Sequence, residues 1–72
     1  MDEPRELYWN STYAIVVSLM ENHPDVSPEM IGLNELTDLI IALPGFRDDP
    51  DFVTEQFLLD ILTTWYEEAT PL

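Results

Sequence analysis

The sequence predicts a small, mainly α domain of three helices with at most short extended segments. Two segments repeat apolar residues at the i, i+3, i+4, i+7 spacing of an amphipathic helix, and proline or glycine residues separate the three candidate helices. With 72 residues, 46% of them apolar, the chain has the length and composition of one folded domain over residues 1–72. Residues 1–6 and 70–72 are expected to be its loose ends.

The first helix is expected to run from a cap among residues 10–12 to about Asn22. Asn, Ser and Thr are favoured N-cap residues, because their side-chain oxygens accept the unpaired backbone N–H groups of the first turn. Ile15 and Leu19 form the apolar spine of this helix. His23-Pro24 ends it, since the residue before a proline avoids the helical region.

The second and third helices have more regular patterns. A short extended segment leads to Asn34, the expected N-cap of the second helix, which runs to about Leu43. The third helix is expected to open near Asp51 or Thr54 and to end at about Glu68. Both carry a continuous apolar stripe, formed in turn by Leu36, Leu39, Ile40 and Leu43 and by Leu58, Ile61, Leu62 and Trp65.

The expected core combines these stripes with the residues that anchor the turns. Its members are Trp9, Ile15, Leu19, Leu36, Ile40, Leu43, Phe46, Leu58, Ile61, Leu62 and Trp65. Four apolar residues lie off the stripes, namely Val17, Ile41, Leu59 and Tyr66. They indicate either a core wider than one stripe or an apolar patch that binds a partner.

The chain is strongly acidic, with a formal net charge of −13. Such a charge repels the phosphate backbone of nucleic acids, which proteins bind through Lys and Arg. The same field attracts cations or the basic surface of another protein. The chain contains no cysteine, so it cannot supply thiolates to an iron–sulfur cluster, carry a persulfide or build a Cys-based zinc site.

No catalytic arrangement is recognisable, and we do not expect an enzyme. His23 is the one imidazole and has no second His or Cys to join it, and Gly32 and Gly45 are too far apart for a phosphate-binding loop. No stretch approaches the roughly 20 apolar residues of a membrane span. Residues 1–4 lack the basic start of a secretion signal, so a cytoplasmic location is expected.

The segment between the second and third helices, residues 43–51, concentrates a Pro-Gly pair, an aromatic residue and three carboxylates. Such a loop could ligate a hard cation, dock against a basic partner, or stay solvated and cap the next helix. An EF-hand is excluded, because the required glycine at its sixth position and glutamate at its twelfth are absent for a start at either Asp48 or Asp49.

Several motifs at fixed spacing resemble the IscX family of small acidic iron–sulfur cluster assembly proteins, and the resemblance covers nearly the whole chain. These motifs are Trp9, His23-Pro24-Asp25-Val26 with Pro28, Leu43-Pro44-Gly45-Phe46 before Asp48-Asp49-Pro50, and Trp65 with Glu67-Glu68. The resemblance implies a compact, modified winged-helix-like fold and weak binding of iron through surface carboxylates. It also implies docking on the basic surface of a cysteine desulfurase, where frataxin-type proteins compete and the output of the desulfurase is modulated.

The candidate metal ligands are the carboxylates Asp48, Asp49, Asp51 and Glu55, and the candidate docking residues are the same four with Asp25 and Glu29. Two hypotheses stay open: a regulatory adaptor that docks on the desulfurase, and a carrier that delivers iron. An acidic interaction module unrelated to cluster assembly is a third. Charge reversal at Asp48 and Asp49 is expected to leave the fold intact, because loop carboxylates contribute little to a core.

Overall fold

The computed structural model describes residues 6–69, in which three α-helices are the main elements. α1 spans Thr12–Asn22, α2 spans Leu33–Ile41 and α3 spans Glu55–Ala69, and a 3₁₀ turn occupies Pro50–Phe52. The described residues contain no strand, so the predicted mainly α class with three helices is confirmed. None of these helices is long and apolar enough to cross a bilayer.

The segment before α1 is joined to the rest of the fold by one short extended pairing. Leu7 forms an isolated parallel bridge with Phe46, in which its N–H donates to the Gly45 carbonyl at 2.9 Å and its carbonyl accepts the Arg47 N–H at 2.9 Å. Of the residues expected to be loose, only Glu6 lies in the described part of the chain, directly before this bridge. The other residues of the expected loose ends, 1–5 and 70–72, lie outside the described residues.

α1 and α3 begin and end close to the predicted positions. Ser11 is the N-cap of α1, and its carbonyl accepts the Ile15 N–H at 2.9 Å. α1 ends at Asn22, directly before the predicted stop at His23-Pro24. Thr54 caps α3, because its Oγ1 accepts the Phe57 N–H at 3.1 Å.

α2 begins at Leu33, and its N-cap is Gly32 rather than Asn34, so the predicted cap was wrong. The Gly32 N–H donates to Oε1 of Glu35 at 3.3 Å, and the Gly32 carbonyl accepts the Leu36 N–H at 2.9 Å. A glutamate at the third helical position thus reaches back to the capping residue, as in a capping box. This contact favours the earlier start over a cap by the asparagine side chain.

The core is one cluster drawn from all three helices, the segment before α1 and the segment after α2. Within it, α3 packs chiefly against α1. The cluster consists of Leu7, Trp9, Ile15, Val16, Leu19, Leu36, Ile40, Leu43, Leu58, Ile61 and Trp65. Nine of these were predicted from the sequence. Phe46 and Leu62 were also predicted, and they are partly buried residues that pack against the cluster.

The four apolar residues off the stripes divide into two groups. Ile41 packs against the core, and Val17 is half-buried. Leu59 and Tyr66 are exposed on α3, where their separation of seven residues places them on one face. The wider core therefore accounts for part of the apolar surplus, and the exposed face of α3 for the rest.

Truncating the central aromatic of α3 should unfold much of the population. Trp65 is 2% exposed, and Trp65→Ala is expected to cost about 3–5 kcal/mol of unfolding free energy, a large share of the stability of a small domain. Chemical denaturation followed by circular dichroism measures this loss. Tyr66→Ala, at a neighbouring residue that is 48% exposed, is the matched control and should change stability by about 0.5 kcal/mol or less. Equal losses for the two variants would contradict the assignment of the inward face of α3.

Candidate functional site

The acidic loop after α2, residues 43–51, is shaped by a tight turn at its start. Gly45 has a φ of 91°, a conformation that other residues rarely adopt, and the Phe46 N–H closes the turn on the Leu43 carbonyl at 3.2 Å. Leu43 is buried in the core and Phe46 packs against it. The Pro-Gly pair thus turns the chain back toward Leu7. The carboxylates follow directly after the residues that pair with Leu7.

Trp9 connects this loop to the N-terminal segment. Its indole N–H donates to the Asp49 carbonyl at 2.8 Å, and its ring meets that of Phe46 edge-on, with centroids 5.1 Å apart and planes at 73°. Edge-to-face pairs of this kind add to the energy of simple burial. The ring of Trp9 is almost wholly buried. The position of the acidic loop therefore depends on one aromatic side chain.

Asp48 uses its carboxylate inside the protein. Oδ2 accepts the backbone N–H of Trp9 at 2.9 Å and Oδ1 accepts the N–H of Asp49 at 2.8 Å, and the side chain is half-buried. A carboxylate that accepts two backbone N–H groups is held in one orientation by charge-assisted hydrogen bonds. The expectation that Asp48 contributes little to the fold was therefore wrong, because the loop is fastened to Trp9 through this side chain.

The remaining loop carboxylates point to solvent. Asp49 Oδ1 accepts the Asp51 N–H at 2.9 Å and so caps the 3₁₀ turn, but both side chains are exposed. Glu55 is exposed in the first turn of α3, where a negative charge suits the helix dipole. Asp25 and Glu29 are exposed in the connection between α1 and α2. Five of the six predicted docking residues are thus accessible.

Glu55 also borders a hollow between α2 and the start of α3. This hollow, called the α2–α3 hollow below, has a volume of about 580 Å³ and is lined by Leu33, Asn34, Thr37, Asp38, Val53, Thr54, Glu55 and Leu58. It brings Asp38 and Glu55 to the same opening together with amide and hydroxyl groups. Asp38 was not among the predicted site residues. The i, i+4 spacing of Asn34 and Asp38 on the polar face of α2 was the available signal.

A closed metal site is not preformed. Within residues 6–69 no three His, Asp or Glu side chains are grouped so that they could hold one ion. Both oxygens of Asp48 already accept a backbone N–H, which fixes the orientation of this carboxylate and leaves it less free than its exposed neighbours to turn toward a metal. Hard cations such as iron at an oxygen-only surface could instead use one or two of the exposed carboxylates with water, which gives an open and weak site. The prediction of iron binding at Asp48, Asp49, Asp51 and Glu55 stays a prediction.

The surface is dominated by negative charge. Residues 6–69 contain thirteen carboxylates, of which all but Asp48 are exposed, against one arginine, Arg47. The same charge affects a tyrosine next to the loop, because the hydroxyl of Tyr8 donates to Oε1 of Glu6 at 3.1 Å. That hydrogen bond and the charge of Glu6 raise the pKa of Tyr8, so its hydroxyl stays protonated to a higher pH than usual.

The described residues define the class of protein. It is a small acidic domain of three helices with exposed carboxylates over its surface and open hollows between its elements. The sequence model of one family, described as iron–sulphur cluster assembly, matches residues 7–70. The chain belongs to this family, and the resemblance to the IscX family is confirmed. It is also 34% identical over 62 residues to an uncharacterized protein of Pseudomonas aeruginosa, an alignment that covers 86% of this chain and 94% of that protein.

Removing the charge of Asp48 should loosen the loop. In Asp48→Asn, an amide nitrogen replaces one of the two acceptor oxygens and faces a backbone N–H, so we expect a loss of about 1–3 kcal/mol in unfolding free energy. The indole of Trp9 should also become more accessible, so that a soluble quencher reduces its fluorescence more strongly. This is measured in a Trp65→Phe background, in which Trp9 is the one tryptophan. Asp51→Asn is the control, because its side chain is exposed, and it should leave both properties unchanged. An Asp48→Asn variant with unchanged unfolding free energy and unchanged quenching of Trp9 would contradict the structural role of this carboxylate.

Proposed function

We propose that this protein is a regulatory adaptor of iron–sulfur cluster assembly that docks through its acidic face on the basic surface of a cysteine desulfurase. Membership of the cluster assembly family supports the process in which it acts. The observation that carries the docking mode is the surface itself, on which twelve of the thirteen carboxylates described are exposed and one arginine opposes them. Opposite charge on a partner would steer association and fix its orientation.

The proposed mode of action is binding rather than catalysis. The chain has no cysteine, so it is neither a scaffold that holds a cluster through thiolates nor a sulfur donor. An acidic protein that occupies a basic surface of the desulfurase can change sulfur transfer by excluding other acidic partners. Competition with a frataxin-type protein for that surface is part of the proposal.

The proposed docking face consists of the exposed carboxylates Asp25, Glu29, Asp49, Asp51 and Glu55, and Asp48 supports it from within. The side chains of Asp49 and Asp51 project from a loop that Trp9 and Asp48 hold against the core. Charges presented on such a fixed loop lose less conformational freedom on binding than charges on a mobile segment. The hydrogen bonds of Asp48 are therefore part of how the docking face is organised.

Charge reversal on the docking face should slow association. The double variant Glu29→Lys with Asp51→Lys is expected to lower the association rate with the desulfurase by roughly tenfold at low salt, since steering depends on the local field. Surface plasmon resonance over a series of salt concentrations measures this rate, which should fall steeply with salt for the unaltered protein. Added protein should also change the rate of sulfur transfer, and the double variant should not.

The matched control reverses Glu67 and Glu68, which lie in the last turn of α3 and outside the proposed face. It changes the net charge by the same amount, so a specific face predicts a much smaller effect on the association rate. Equal effects of the two double variants would show that net charge alone drives encounter. Binding that responds neither to salt nor to either variant would rule out electrostatic docking.

Delivery of iron is a second candidate function, and the α2–α3 hollow is the observation that favours it. Asp38 and Glu55 line this hollow together with the hydroxyl of Thr54 and the amide of Asn34, which are oxygen donors suited to a hard cation. Two carboxylates with no third ligand favour weak and reversible binding over tight storage. The adaptor is therefore the primary proposal, with weak iron binding as an accompanying property.

Iron should bind weakly and through carboxylates near the start of α3. Titration with ferrous iron under anaerobic conditions, followed by paramagnetic broadening of backbone amide signals, should first affect the start of α3. Glu55 there belongs both to the predicted cluster of Asp48, Asp49, Asp51 and Glu55 and to the α2–α3 hollow. Asp49→Asn with Asp51→Asn should weaken or shift this broadening, whereas Glu67→Gln with Glu68→Gln should leave it in place. Broadening confined to the end of α3 would contradict the predicted cluster, and broadening centred on Asp38 would move the site to the α2–α3 hollow.

A further inference from the structure

A second, smaller hollow lies beside α2 where the connection from α1 arrives. Its volume is about 300 Å³, and it is lined by Val26, Met30, Ile31, Glu35, Asp38 and Leu39. Val26, Ile31 and Leu39 are partly buried and pack against the core, so they form a firm apolar floor. Met30 is 83% exposed. We call this feature the α2 groove.

The connection between α1 and α2 holds the rim of the groove in place. The Val26 N–H donates to the His23 carbonyl at 3.1 Å, and the Met30 N–H donates to the Ser27 carbonyl at 3.0 Å, so two successive turns precede Ile31. Prolines at positions 24 and 28 fix one backbone dihedral in each turn. Met30 is therefore exposed on a segment whose backbone is held by its own hydrogen bonds.

Negative charge borders this apolar surface. Glu35 and Asp38 line the groove directly, and the carboxylate of Glu35 is oriented by the Gly32 N–H. Asp25 and Glu29 adjoin Val26 and Met30 in the chain and are exposed. An exposed methionine between carboxylates combines a side chain that adapts to different shapes with charges that select for basic neighbours.

We infer that the α2 groove receives one large apolar side chain from a basic segment of the protein's partner, flanked by lysine or arginine residues that pair with Glu35 and Asp38. The volume lies at the small end of the range of about 300–1,000 Å³ for ligand pockets, which suits a side chain better than a cofactor. This inference rests on the proposed docking function and gives it an apolar anchor. Long-range attraction would bring the surfaces together, and the groove would slow their separation.

The charge pattern decides between a basic partner and a second copy of this chain. Self-association through the groove would bring together two surfaces that each carry Asp25, Glu29, Glu35 and Asp38. Like charges placed opposite each other across an interface are unfavourable. A basic segment instead neutralises these carboxylates, so it is the occupant that fits both the floor and the rim.

Paired variants test the groove against matched controls. Met30→Ala removes the exposed apolar side chain, and Met20→Ala removes a partly exposed methionine of α1 that does not line the groove. Asp38→Asn and Asp60→Asn form the equivalent pair for charge on α2 and α3. Binding is measured by calorimetry with two probes: a purified cysteine desulfurase, and a synthetic peptide with a central leucine between lysines. A second peptide has serine in place of the leucine.

The expected result is that Met30→Ala weakens binding to the desulfurase and to the leucine peptide by roughly tenfold, as for a residue at the centre of an interface. The serine peptide should bind weakly to all variants, and Met20→Ala should match the unaltered protein. Because an apolar contact is not screened by ions, the effect of Met30→Ala should persist at high salt. Asp38→Asn should weaken binding at low salt more than Asp60→Asn does.

Other outcomes overturn the inference in distinguishable ways. If desulfurase binding is salt-dependent but Met30→Ala behaves like Met20→Ala, the groove is not an anchor and the proposed docking function still stands. If the desulfurase does not bind at all, the docking function fails, and selective binding of the leucine peptide that Met30→Ala abolishes would still support the groove. A dimer in sedimentation experiments that Met30→Ala disperses would assign the groove to a second copy and overturn the basic occupant.

Discussion

The packing of Trp9, in the segment before α1, against the acidic loop is the contact on which the rest of the structure depends. Its backbone N–H, its indole N–H and its ring each bind a different part of residues 46–49. Without this contact, the loop carboxylates would depend for their position on the Leu7 bridge and the turn at Gly45. The aromatic residue thus links a packing requirement to the arrangement of charges on the surface.

The sequence predicted those elements in which local pattern and packing agree. The stripes of α2 and α3 gave six of the eleven buried residues, because a regular apolar spacing on a helix leaves one face to bury. Leu7 was missed because a single residue in an extended segment has no periodicity, and its burial follows from a partner 39 positions later at Phe46. Val16 was missed because α1 buries two adjacent positions rather than a single column.

The acidic loop shows why a site is harder to predict than a helix. Composition identified its carboxylates as one group, but the structure separates them by what each oxygen accepts. Asp48 bonds two backbone N–H groups, Asp49 caps a 3₁₀ turn through one oxygen, and Asp51 is exposed. Hydrogen bonds between residues nearly forty positions apart leave no trace in local sequence. The same reasoning explains why Glu35 became a candidate only when the connection from α1 was seen beside α2.

The imbalance of fifteen carboxylate side chains against two arginines couples the stability of the folded chain to its surroundings. Folding concentrates like charges within a body of 33 × 31 × 18 Å, and screening at physiological ionic strength acts over about 8 Å, so neighbouring carboxylates still repel one another. A docked cationic surface would act as a multivalent counterion and stabilise the native state by mass action. The uncomplexed molecule would then be the form most open to proteolysis, and cellular levels of this protein would follow those of whatever basic surface shelters it.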